Sequence, residues 1–256
     1  MKSRNWRGRG RRLKSLIKNL DNKRALVTGA TGGIGKAIVK SFVEAGIKVV
    51  ACGSDAQRLD GLHREFPRVI IEKADFNKSD EVFRLAENSL KHYDSLDILV
   101  NNAGIGVTKD VVDLELSDYE SMMNINLRSV FILSKIIGRA MISQGSGYII
   151  NIGSGASTTP IAGMATYCAS KYGLLGFSES LGQELRSYGV KVSIIMPGST
   201  ATHFGGGDPR KRINSKPGIL LPEDIADTIM YLLSQSKRAW SSQVNLRPLD
   251  LNKSQD

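Results

Sequence analysis

Tyr167 and Lys171, in the run Tyr167-Cys168-Ala169-Ser170-Lys171, stand four residues apart. On a helix, residues at this spacing share one face, where their side chains can act together. The same spacing arises by chance in amphipathic surface helices, so its meaning rests on what surrounds it. Upstream, Thr28-Gly29-Ala30-Thr31-Gly32-Gly33-Ile34-Gly35 follows a short apolar run and precedes a helical stretch reaching Ala45. A glycine-rich turn between strand and helix lets backbone approach a phosphate and aims helix amides at it, where the dipole favours negative charge. This turn is read as a pyrophosphate cradle. A nucleoside-triphosphatase loop needs Lys and then Ser or Thr after its last glycine; here Ala37 follows Lys36, and Ala30 replaces the required first glycine.

Other candidate residues sit where strands should end. Asn101-Asn102-Ala103-Gly104 has small side chains that leave room for a cofactor. Gly153-Ser154-Gly155 ends a later strand, but the glycines that a serine-hydrolase elbow places two positions either side of its serine are Ile152 and Ala156 here. Pro197-Gly198 opens a loop holding Thr200 and Thr202. His63, His92 and His203 are scattered without ligand spacing, and Cys52 and Cys168 form neither a disulfide framework nor a metal motif. No metal site is expected.

The elements that must hold these residues alternate regularly. Strands are expected at 24–28, 47–52, 69–72, 97–101, 147–152, 190–196 and 243–246, and helices at 56–66, 79–92, 117–141, 166–188 and 222–233. Continuous apolar strands alternating with helices predict an α/β fold: a Rossmann-type, doubly wound parallel sheet of about seven strands with helices on both faces. Asn124 and Asn126 interrupt the apolar pattern of the 117–141 helix, and buried asparagine needs partners. Gly173, Gly176 and Gly182 suggest close helix packing, with a subunit interface as one candidate. Residues 203–220, polar and rich in Gly, Pro, Lys and Arg, read as a flap over the cleft.

The formal net charge of +10 is concentrated at one end: residues 1–24 carry ten Lys/Arg against Asp21, whereas the rest has 25 basic and 24 acidic side chains. Residues 1–22 are therefore read as a basic, flexible arm and 23–256 as one dinucleotide-binding domain. Leu13, Leu16, Ile17 and Leu20 would gather on one face of a short helix in the arm. That leaves several readings open: an organelle transit peptide, a tether to an anionic surface or nucleic acid, a partner-binding helix, or a solvated extension. The nearly neutral body gives no reason to expect specific nucleic-acid binding. No run approaches the 18 apolar residues of a membrane span, and no signal-peptide pattern opens the chain, so a cytoplasmic location is expected.

Taken together, the motifs resemble the short-chain dehydrogenase/reductase family over roughly residues 23–247: the glycine turn, Asn101 to Gly104, Asn126, Ser154 lying 13 residues before Tyr167, Lys171, and Pro197-Gly198. Within that family the chain looks most like ketoacyl-carrier, sugar and alcohol reductases of about this length. The resemblance implies a nicotinamide-dependent exchange of hydride between a cofactor and a ketone or secondary alcohol. Tyr167 would be the acid/base and Lys171 would stabilise its phenolate and bind ribose; Ser154 would hold the substrate oxygen and Asn126 would order a proton-carrying water. The cofactor set it implies is Gly29, Thr31, Gly33, Ile34, Gly35, Ser54, Asp75, Phe76, Asn102, Ala103, Gly104, Tyr167, Lys171, Pro197, Gly198 and Thr202. Thr202 would contact the nicotinamide amide and Asp75 the adenine.

Family members that use NAD commonly carry an acid where this chain has Gly53, so its loss favours NADP(H), although Asp55 beside Ser54 keeps NAD(H) open. Oligomers of two or four copies are implied. The carboxy-terminal run Asn245-Leu246-Arg247-Pro248 departs from the family's Asp-Gly-Gly, which weighs against a carrier-protein substrate. Besides the 3-oxoacyl-carrier-protein alternative, a non-catalytic nucleotide-binding scaffold using the basic arm is the competing class; such proteins usually lose the Tyr or Lys present here.

Overall fold

The computed structural model describes residues 20–249 apart from Pro217. Seven strands form one parallel sheet: β1 (Arg24–Thr28), β2 (Lys48–Gly53), β3 (Ile70–Lys73), β4 (Ile98–Asn101), β5 (Gly147–Ile152), β6 (Val190–Pro197) and β7 (Gln243–Leu246), in the order β3-β2-β1-β4-β5-β6-β7. Strands apolar on both faces suit a parallel sheet covered by helices, and β4 is buried along its whole length. The chain order reverses between β1 and β4, so the crevice at their carboxyl ends is where such a sheet accepts ligands.

Helices cover both faces. On one, α1 (Gly33–Glu44) packs with α8 (Pro222–Ser234) over a core containing Val27, Phe42, Val100 and Ile229. On the other, α3 (Ser79–Tyr93) packs with α5 (Ser129–Gln144) over Leu26, Leu99, Leu133 and Ile149. Alternate strand residues thus feed the two cores, as the two-residue period of a pleated strand requires. The remaining helices are α2 (Ala56–Glu65), α4 (Leu116–Met123), α6 (Ala165–Leu185) and the short α7 (Pro209–Ser215).

Three expectations need correction. The helix read over 117–141 is α4 and α5 joined by a five-residue π segment, Asn124–Arg128. Gly182 does not await another subunit: a Cβ there would lie 2.9 Å from Trp240 Cη2, so the indole fills that space within the chain. Gly173 likewise accommodates Leu127, whereas nothing lies within 4 Å of a Cβ at Gly176. The amino-terminal boundary also begins earlier than residue 23. Leu20 is buried in the core, and the Asn22 N–H donates to Gly46 O at 3.0 Å; Leu13, Leu16 and Ile17 lie outside the described residues.

Two cations counted with the basic arm serve the sheet. Lys23 Nζ donates to Asp97 Oδ1 at 2.8 Å, and the Arg24 N–H and Nε donate to Asp97 Oδ2 at 2.9 and 2.8 Å, clamping the start of β1 to the approach to β4. Burial alone would raise the Asp97 pKa, but these hydrogen bonds outweigh it and hold the carboxyl below its usual range. Asp97→Ala is expected to lower stability by about 2 kcal/mol at pH 7, because it strands two cations and an amide. A carboxyl with a depressed folded-state pKa loses its contribution as pH falls through that pKa, so in urea melts the penalty should shrink as pH is lowered into and below the ordinary carboxylate range.

Candidate active site

The glycine turn is bonded to the neighbouring strand ends. Thr28 Oγ1 accepts the N–H groups of Asn102 and Ala103, both at 3.0 Å, and Asn102 Nδ2 donates to Thr28 O and Gly29 O at 3.0 and 3.1 Å. The Ala30 N–H donates to Cys52 O at 2.9 Å. Gly29 has φ of +61°, and a Cβ on it would come 2.9 Å from Ala103 Cα; a Cβ on Gly35 would come 2.8 Å from Ala30 Cα. Only glycine lets the turn and the Asn102–Gly104 loop close on each other. Gly33 meets Thr202, whose Cγ2 would be 2.9 Å from a Cβ there, so Thr202 reaches the start of α1 from across the sheet. Ile34 follows in the first turn of α1.

The end of β2 presents no free carboxylate. Gly53 faces the Thr31 hydroxyl, 3.3 Å from where its Cβ would be, and Ser54 is exposed. Asp55 caps α2, accepting the Arg58 N–H at 3.0 Å, with Arg58 Nε 3.6 Å away. Beyond β3, Asp75 Oδ1 accepts the Asn77 N–H at 3.0 Å, while the Phe76 side chain is buried in the core, leaving only its backbone for a ligand. On the other side of the crevice the Gly198 N–H donates to Leu246 O at 2.8 Å, which ties Pro197-Gly198 to β7. At these strand ends a bare backbone turn leads into a helix N-terminus, which suits a phosphate, and the residues after β2 offer hydroxyls beside a carboxylate engaged in a helix cap.

Tyr167, Lys171, Ser154 and Asn126 converge at the ends of β4 and β5. Asn126 is buried in the π segment, and such insertions often mark functional sites because they re-aim a side chain. Its Oδ1 accepts the Ile105 N–H at 2.9 Å, and its Nδ2 donates to Ile105 O at 2.9 Å and Ser170 Oγ at 3.0 Å. A Cβ on Gly104 would lie 3.3 Å from Asn126 Oδ1 and 3.6 Å from Lys171 Nζ, so the bare backbone at 104 lets both groups approach. Lys171 is buried; its Nζ donates to Ile152 O at 2.8 Å and lies 5.9 Å from the Tyr167 ring centroid. A buried amide ladder, Asn101 Nδ2 to Asn151 Oδ1 and Asn151 Nδ2 to Ser178 Oγ, both 2.8 Å, fastens α6 to the sheet.

Burial sets the electrostatics. It pushes the Tyr167 phenol above its ordinary value, opposed by a hydrogen bond with Ser154, and it lowers the Lys171 ammonium to about 8. Phe204, from the loop after β6, covers the Tyr167 ring at a centroid distance of 5.7 Å, and Gly106 gives it room, with a Cβ there 3.0 Å from Phe204 Cζ. Ala156, Met164 and Val107 complete an apolar wall around Tyr167.

The candidate set drawn from the sequence left out Thr28, although its motif includes it, and also Ser170, Gly106 and Phe204. Thr28 opens the glycine motif and Ser170 lies one turn from Tyr167, so each had a local signal. Phe204 and Gly106 are brought together only by folding.

Fold and site define a nicotinamide-dinucleotide class of oxidoreductase, and comparison with known proteins agrees. The chain belongs to the short-chain dehydrogenase family, whose model matches residues 23–212. It is 34% identical over 229 residues to a 3-oxoacyl-[acyl-carrier-protein] reductase of Synechocystis sp., covering 84% of this chain and 91% of the relative. A D-threitol dehydrogenase of Mycolicibacterium smegmatis is 31% identical over 234 residues, 85% and 88% of the two chains. Among solved structures, a metagenomic short-chain oxidoreductase in complex with NADP superposes with a TM-score of 0.79 at 32% identity, over 90% of this chain and 98% of that one.

A base whose pKa falls on folding is charged in the native state at a cost, here on the order of 3 kcal/mol, present below pH 8 and relieved as pH rises through that value. Lys171→Met should therefore melt no lower than the parent at pH 7 in calorimetry, although it removes the cation beside Tyr167. A drop of more than a few degrees would show that the ammonium stabilises the fold.

Proposed function

We propose that the chain is an NADP(H)-dependent reductase or dehydrogenase of a ketone/secondary-alcohol pair, with Tyr167 as general acid/base. The observation that carries this reading is the convergence of Tyr167, Lys171, Ser154 and Asn126 on one crevice beside the glycine cradle. Bound in that cradle, the reduced nicotinamide would supply the hydride. Ser154 donates a hydrogen bond to the carbonyl oxygen and fixes the carbonyl against Tyr167. As the carbonyl carbon accepts the hydride, the Tyr167 hydroxyl gives its proton to the developing alkoxide. The raised pKa of the buried phenol keeps it protonated at neutral pH, as reduction needs. The phenolate left behind is stabilised by the Ser154 hydroxyl and the Lys171 ammonium until it is reprotonated. Both Nδ2 hydrogens of Asn126 are spent on Ile105 and Ser170, so its side chain fixes the loop, and the backbone of the π segment is the part left to order a water.

NADP(H) is favoured over NAD(H) because Asp55 is turned to the α2 cap and Arg58, and because a 2′-phosphate meets hydroxyls at Thr31 and Ser54. The NADP complex of the metagenomic relative supports the same choice. A 3-oxoacyl-carrier-protein substrate is the second reading, favoured by the Synechocystis relative. We further propose a homodimer or homotetramer joined through the apolar groove of Met123, Leu127, Phe131 and Phe177, where Phe131 is 49% exposed. Among the described residues no helix is long and apolar enough to cross a membrane. A cytoplasmic location is proposed, with the basic arm as a surface tether or targeting segment.

Tyr167→Phe should lower kcat for NADPH-driven ketone reduction about a hundredfold or more while leaving NADPH binding unchanged in a fluorescence titration. Retained activity would show that another group carries the proton. The kcat/KM with NADPH should exceed that with NADH at least tenfold; a tenfold preference in the opposite direction overturns the cofactor assignment.

A further inference from the structure

Arg247 lies at the carboxyl edge of the sheet, against the residue that follows Ser154, and nothing in the proposed reaction uses it. β7 pairs with β6 through Leu246 opposite Pro197, so Arg247 leaves the sheet level with Gly198, at the carboxyl edge that holds the site. From there its side chain crosses the end of β6 and comes back to β5. A Cβ on Gly155 would stand 2.9 Å from Arg247 Nη1 and 3.8 Å from Pro197 O, which puts the guanidinium against the backbone of the residue next to Ser154. Glycine at 155 is what permits that approach.

Among the described residues no carboxylate lies within 4 Å of Arg247. Asp224 and Asp227 line the same surface hollow, neither within 4 Å of Arg247, and the Asp224 carboxylate accepts the Leu221 N–H at 2.7 Å. The flap on the same side of the crevice adds Arg210, Lys211, Arg212 and Lys216 against a single acid, Asp208, which accepts the Arg210 N–H at 2.9 Å. Arg212 pins the flap, its Nη2 donating to Phe204 O at 2.8 Å, so the segment that carries Phe204 onto Tyr167 brings cations with it. The body as a whole is nearly neutral, so the flap is a local excess of positive charge along the chain. A guanidinium offers a planar fork of donors that fits a carboxylate or a phosphate oxygen pair.

We propose that the substrate is a small oxo or hydroxy compound bearing an anionic group, and that Arg247 binds that anion while Ser154 and Tyr167 hold the reacting oxygen. The proposal deepens the reductase reading and rests on it: the apolar wall of Ala156, Met164 and Phe204 takes the body of the substrate, and Arg247 sets which end points away from Tyr167. Arg247 is thus a residue of specificity and takes no part in proton or hydride transfer.

The test pairs substrates of similar shape that differ in charge: 3-oxobutanoate with its methyl ester, and dihydroxyacetone phosphate with dihydroxyacetone. Each is assayed by NADPH oxidation with the parent, Arg247→Gln and Arg247→Lys. The parent should prefer the charged member of at least one pair, and which pair does so separates a carboxylate from a phosphate ester. Arg247→Gln should raise KM for that charged member about tenfold or more, leave kcat within about twofold, and leave the neutral member unchanged; Arg247→Lys should recover part of the loss. Equal effects on both members, or no preference in the parent, would overturn the proposal while the reductase reading stands. Binding of malonate and of inorganic phosphate to the NADPH-loaded protein, followed by calorimetry, keeps the two ideas separable. If no ketone is reduced but one of these anions binds the parent at least tenfold more tightly than Arg247→Gln, the anion site stands and the reductase reading fails. If neither anion binds in an Arg247-dependent way and no ketone is reduced, both fail.

Discussion

An ammonium held out of water is the constraint around which this structure is arranged. Lys171 is 4% exposed and has one hydrogen-bond acceptor, the carbonyl of Ile152, so it is charged against the pull of its surroundings. To keep it there, the helix that carries it must be fixed against the sheet, and the loop facing it must come close without a side chain intervening. The Asn101–Asn151–Ser178 ladder does the first, and Gly104 permits the second. Asn126 then locks the facing loop through Ile105 and reaches α6 at Ser170, one residue before Lys171. A π segment in place of a regular turn is the backbone's accommodation to that triple contact.

The same economy of backbone governs the other half of the crevice. Thr28, Asn102 and Gly29 draw the ends of β1 and β4 together at the point where the sheet order reverses, and Thr202 approaches the glycine turn from the loop after β6. Hydroxyls and amides do this work, and the carboxylates near the cradle are engaged in capping turns and helices. An anionic dinucleotide therefore meets donors and a helix terminus with little opposing charge. The surroundings of Tyr167 differ in kind, being an apolar wall of Ala156, Met164, Val107 and Phe204.

Much of this was legible in the sequence because the signals were local. The glycine turn between an apolar run and a helix, the strand alternation that predicted a parallel sheet, and the one-turn spacing of Tyr167 and Lys171 each depend on residues within a few positions of one another. The reading that failed most plainly was the unbroken helix over 117–141. Helical periodicity runs through Asn124–Arg128 undisturbed, and the π insertion is selected by partners at Ile105 and Ser170, 21 and 44 residues away from Asn126. Gly182 misled for the same reason, since its partner Trp240 lies on a distant segment.

By itself, then, the sequence determined the fold class, the order of the strands along the chain and the one-turn spacing that puts Tyr167 and Lys171 on one helix face, since short-range spacing and the periodicities of helix and strand carry that information. Tertiary structure alone decided that Asp55 caps α2, that Phe204 covers Tyr167 and that Arg247 lies against Gly155. Those outcomes depend on which backbone surfaces are bare enough, and close enough after folding, for a side chain from elsewhere in the chain to occupy.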